Sequence, residues 1–177
     1  TPVTRMDDNL PDFTGFVVDT AKYQALKSII EAAKAQNKVE IFRKPTRTSG
    51  ILEKDVRASL HSADMSFECQ EWPEALIIYH ELNELQVGPK SVASKLSLCY
   101  ARCRHYSEAF TLSKQAIVDT PLESNAYISM AIIKSHIRCF DESERLIQLA
   151  ELTLNPNTTL INAIRLENTV LSEKRTF

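Results

Sequence analysis

Residues 71–75 read Glu-Trp-Pro-Glu-Ala (EWPEA) and contain the chain's only tryptophan, set directly before a proline in a region otherwise patterned as helix. Proline removes a backbone donor and clashes with the preceding turn, yet it is tolerated in the first turn of a helix, where that donor has no partner. The stretch therefore either kinks one helix or separates two. Repetition decides between them. Trp72-Pro73-Glu74-Ala75 is followed by Tyr106-Ser107-Glu108-Ala109 and then by Phe140-Asp141-Glu142-Ser143, a constant step of 34 residues with no gap.

Each column of this register has a physical reading. Trp72, Tyr106 and Phe140 form an aromatic plug at the junction of two helices. Pro73 favours a helix start through its preset φ, and Ser107 and Asp141 favour one by capping exposed donors. Glu74, Glu108 and Glu142 put negative charge in the first turn, where the helix dipole favours it. Ala75, Ala109 and Ser143 are small, and twelve residues before each stands another small residue, Ala63, Ser97 and Ala131. Two small columns facing each other across a turn predict a tight antiparallel helix pair.

Upstream of the repeats the chain changes character. Residues 1–19 hold two prolines, four aspartates and no helical period, and read as an extended arm that orders against a partner. From Thr20 to about Gln36, Tyr23, Leu26, Ile30 and Ala33 share one face of an amphipathic helix. Residues 37–50 combine proline, glycine and four basic side chains with Ile41 and Phe42, which predicts a basic linker. The expected organisation is an arm over 1–19, a helix and linker over 20–50, and a helical-repeat domain over 51–177.

Bulk composition narrows the partners. At 177 residues with 21 basic and 23 acidic side chains, the chain can bury a core but has no net field that would select nucleic acid or an anionic membrane. No run approaches the ~18 apolar residues of a membrane span. Cys69, Cys99, Cys103 and Cys139 read as reduced, packed thiols rather than as two disulfides or a zinc site, because no CxxC pair or nearby histidine supplies ligand spacing. Asn157-Thr158-Thr159 matches a glycosylation sequon, a triplet common by chance. His61, His80, His105 and His136 are scattered, and there is no phosphate loop, GxSxG or HExxH, so we expect neither enzymatic activity nor a bound cofactor or metal.

A 34-residue helix-turn-helix period resembles the tetratricopeptide repeat family. The resemblance covers roughly residues 56–157 as three repeats, with 158 to about 173 as a terminal helix. Pro121 occupies the family's inter-repeat proline position, where the other repeats have Val87 and Asn155; the family's tryptophan position holds Ser59, Ala93 and Tyr127. The pentatricopeptide alternative uses ~35 residues and reads RNA bases, which this period and near-neutral charge do not favour. The resemblance implies an all-α fold: a short right-handed solenoid of about three antiparallel helix pairs, with an extra N-terminal helix and a C-terminal capping helix.

It also implies that the first helix of each pair lines a concave binding surface. The groove positions carried over are Arg57, Leu60, Asp64, Phe67 and Glu68, then Ser94, Leu98 and Arg102, then Asn125, Ile128, Ile132 and His136. Such a mixture suits a protein surface or a docked helix; Leu98, Ile128 and Ile132 suit packing against neighbouring helices equally well. Family members that grip chaperone tails use lysine and asparagine where Leu60 and Asp64 stand, which argues against that use. The chain starts Thr1-Pro2-Val3 without an initiator methionine, which fits either removal of an N-terminal segment, as in organelle import, or simply the start of the numbering. Size, start and layout are similar to the small helical-repeat accessory subunits of the euglenozoan mitochondrial ATP synthase. The expectation is then a non-catalytic mitochondrial subunit held by protein partners, the alpha subunit of the catalytic head foremost. The alternatives are a mitochondrial ribosomal or RNA-associated protein, with Arg43, Lys44 and Arg47 carrying salt-sensitive binding, and a soluble cytoplasmic adaptor for organelle import or division.

Overall fold

The structure, a computed structural model, describes residues 12–36 and 40–174. Positions 1–11 of the expected arm, 37–39 of the linker and 175–177 lie outside the described residues. The chain is predominantly helical. Its α-helices are α1 (Thr20–Gln36), α2 (Glu53–Glu68), α3 (Trp72–Leu85), α4 (Val92–Arg102), α5 (Tyr106–Asp119), α6 (Ser124–His136), α7 (Phe140–Leu152) and α8 (Thr158–Glu173). Two short strands, β1 (Phe42–Arg43) and β2 (Gly88–Pro89), pair antiparallel, a feature no alternation in the sequence announces.

The junctions at 72, 106 and 140 share one backbone geometry. Gln70, Arg104 and Arg138, again 34 apart, take φ of 59°, 65° and 63°. The amides of Glu71, His105 and Cys139 each bond the carbonyl five residues back, on Ser66, Tyr100 and Lys134, at 2.8 Å. This is the Schellman way of ending a helix, which uses a left-handed residue to satisfy otherwise orphaned carbonyls. The next helix then starts at the aromatic residue itself. Ser107 and Asp141, expected to cap, sit inside the first turn instead: the N-cap residues are His105 and Cys139, without side-chain caps, and the Ser107 hydroxyl is buried with no partner.

Across each three-residue turn, the helix packs on the one that follows: α2 on α3, α4 on α5, α6 on α7. All six small residues, Ala63, Ser97, Ala131, Ala75, Ala109 and Ser143, are completely buried. In the last pair the two columns touch, the Ser143 hydroxyl donating to the Ala131 carbonyl at 2.9 Å. The core grows along the chain. Buried positions on α2 are Val56, Ala63 and Phe67, whereas nearly every residue from Ser124 to Ser135 is buried, because α6 touches α4, α5, α7 and α8. α4 packs along α6, but α2 has no comparable packing on α4.

Residues 12–36 fold back over α5, α6 and α7. Leu26 and Ile30 bury one face of α1 against α7. Residues 12–19, expected to order against a partner, dock on the chain itself: Val18 is completely buried, and the Phe13 ring lies 5.2 Å from that of Phe110 on α5. The linker crosses to the α3–α4 connection. There Arg43 pairs with Gly88 in the strand bridge, and its guanidinium donates to the carbonyls of Val87, Gly88 and Pro89 and to Gln86 Oε1.

Candidate interaction surface

The ends of α4, α6 and α8 meet around a cleft of about 390 Å3. α4 supplies Ala101 and Arg102, and its turn supplies Arg104, held at the rim by the left-handed backbone that closes the helix. Tyr106 opens α5, and Ile132, Ser135 and His136 come from the last turn of α6. From α8 come Ile164, Glu167 and Leu171, spaced three and four apart on one helical face. Ile132, Ile164 and Leu171 make the cleft's apolar part, and charged and aromatic groups surround it.

Polar contacts fix these walls. Arg102 Nη1 lies 3.3 Å from Glu167 Oε1, tying α4 to α8, with the arginine side chain mostly covered and the glutamate half exposed. The Tyr106 and His136 rings stack at 4.1 Å with an interplanar angle of 19°. Beneath them runs a buried network: the Ser135 hydroxyl and Asn168 Oδ1, Asn168 Nδ2 donating to Ser143 Oγ at 2.9 Å, and the two serine hydroxyls 2.9 Å apart. Buried networks with every member satisfied hold one geometry. α8 is therefore locked in place as the third wall. With two arginines against one glutamate, the rim is net positive.

Three of the residues expected in a groove meet here: Arg102, Ile132 and His136. The others are placed elsewhere. Leu98 and Ile128 are completely buried, and Phe67 is buried edge-on against Trp72 and Tyr79. Ser94 is buried and donates to the Ser91 carbonyl; Asn125 is buried with its Oδ1 unpartnered. Asp64 takes the Tyr79 hydroxyl and Lys95 Nζ, the latter at 3.0 Å, and Leu60 is half-buried. Arg57 is ion-paired to Glu53 at 2.9 Å and lies 4.0 Å over the Phe42 ring, while Glu68 is exposed. Comparison with protein-family models, with curated proteins and with solved structures finds no match to this chain.

Sequence reasoning did not find Arg104, Tyr106, Ile164, Glu167 or Leu171 as lining residues. The i, i+3, i+7 spacing on α8 was the available signal, and it is the same signal a purely packing helix gives. Near the other end of α4, a second polar cluster joins linker and repeats. Glu40 Oε1 accepts the Ser91 amide at 2.8 Å, and burial, with Glu40 nearby, pushes the Glu123 carboxyl above its ordinary range.

The cysteines are all free: Cys99 is buried, with its thiol pushed up to about 12, chiefly by desolvation. Among the described residues, no three His, Cys, Asp or Glu side chains converge as metal ligands would, and no helix is long and apolar enough to cross a membrane. Of the basic linker residues, Arg43 is consumed by loop carbonyls, leaving Lys44 and Arg47 exposed.

Proposed function

We propose that this chain is a non-catalytic protein–protein interaction subunit of a larger assembly. In this reading the three equal junctions mark a short right-handed solenoid of antiparallel helix pairs, tetratricopeptide-like, with α8 as its cap. The α4–α6–α8 cleft is the docking surface. The observation that carries the proposal is the convergence of Arg102, Ile132 and His136, three of the groove positions carried over from the resemblance, on one cleft whose walls are fixed by an ion pair and a buried network. A few apolar side chains set among charged and aromatic ones suit a protein contact.

The assembly we propose is a mitochondrial ATP synthase, with the chain held on the alpha subunits of its catalytic head. Size and helical-repeat layout support this assignment, and nucleotide chemistry then belongs to other subunits. Affinity purification of the tagged chain from native mitochondria, followed by mass spectrometry, tests it. Stoichiometric recovery of head subunits is expected; recovery of ribosomal proteins or RNA in their place overturns the assignment. The engagement of Arg43 by loop acceptors weakens the RNA reading, since that guanidinium already commits four of its five N–H donors within the chain.

A further inference from the structure

The contacts of residues 12–19 differ in kind from core packing. Glu142 and Arg145, three apart on α7, take both backbone groups of a single residue. Glu142 Oε2 accepts the Val18 amide at 2.7 Å, and Arg145 Nη1 donates to the Val18 carbonyl at 2.9 Å. The same Glu142 oxygen pairs at 3.1 Å with Lys134 Nζ, a completely buried cation that also donates to the Phe13 carbonyl at 2.9 Å. Three charged side chains thus bind main-chain atoms, which every sequence has.

Side-chain recognition is confined to few positions. Phe13 meets Phe110, Phe16 is partly buried against the core, and Val18 is fully buried; Asp12, Thr14, Gly15, Val17 and Asp19 are all exposed. Glu142 and Arg145 also line an open cleft of about 350 Å3, together with Arg138, Cys139, Phe140 and Asp141. The grip on Val18 therefore has free space beside it, through which a competing segment can reach the same two side chains.

We propose that this groove on α5, α6 and α7 is a docking site for a short peptide segment, with residues 12–19 as its resident and displaceable ligand. A partner protein enters it with a segment of the same chemistry: aromatic residues five and two positions before a β-branched one, with a free backbone amide and carbonyl at the β-branched residue. This surface is separate from the α4–α6–α8 cleft, and either proposal can fail alone.

The test uses the whole chain and an acetylated, amidated peptide of sequence DFTGFVVD, residues 12–19. With peptide in excess, the chain's own Val18 amide is expected to lose protection from hydrogen exchange. A Phe13→Ala chain, whose resident segment competes less, should bind the peptide at least tenfold more tightly than the parent, and Arg145→Ala should abolish binding. A peptide carrying the Phe13→Ala change should not bind. If no chain binds the peptide at millimolar concentration, or the altered peptide binds equally well, residues 12–19 are a fixed part of the fold and the proposal is wrong. Should the Phe13→Ala chain fail to fold, the parent decides alone: unchanged Val18 protection in excess peptide overturns the proposal.

Discussion

Gln70, Arg104 and Arg138 hold backbone angles that glycine adopts at least cost, yet none is glycine. A side chain in the left-handed region costs roughly 1 kcal/mol or more, and glycine gives part of that back through a freer unfolded chain. Gln70→Gly should therefore stabilise by ~0.5–1 kcal/mol, read as a higher urea midpoint at unchanged slope. A lower midpoint would mean that the turn is not the one described. Lys134 makes the opposite case. Lys134→Met strands Glu142 beside a buried apolar group and should cost ~3–5 kcal/mol, much of which a second change, Glu142→Gln, should restore. Glu123 carries a pH signature. Because burial raises its folded value above the ordinary 4.5, the folded state binds more protons, and its destabilising contribution appears as pH rises through that window. Glu123→Gln should flatten the fall in thermal midpoint as pH rises above 4.5, with the parent measured alongside.

At the level of elements, the helix pairs were legible because one period repeats three times and each column has a local cause. Ala75→Trp or Ala109→Trp should overpack its junction and cost ~1–3 kcal/mol by denaturant melts; a mutant as stable as the parent would refute the facing of the small columns. α8 was legible as a helix but not as a wall, since only tertiary contacts show that Asn168 completes the Ser135–Ser143 network. Asn168→Ala should cost ~1–3 kcal/mol and loosen α8, visible as faster amide exchange there than in α7. The carried-over groove positions failed to form one surface for a related reason. α6 is surrounded by four helices, so Ile128 faces core on a side where an open groove was expected. Arg43 escaped the reading because a lone arginine in a basic run looks the same whether it is solvated or bonded to carbonyls 45 residues away.

Over the whole molecule, burial is uneven, lightest at α2 and heaviest at α6. Lightly buried segments open first, so native-state exchange should find α2 amides opening at a lower free energy than those of α6. Residues 12–19 were the least legible part, because their partners lie far along the sequence and leave no local pattern. Phe13 and Lys134 are 121 residues apart, and Val18 and Arg145 are 127 apart. This separation fixes an order of events during synthesis. Residues 12–36 have no dock until α7 has been made, so α1, with Leu26 and Ile30 uncovered, waits through translation of the six helices that follow it. Residues 12–36 thus settle only after α7 exists, and for that interval their apolar side chains are the ones most in need of a chaperone.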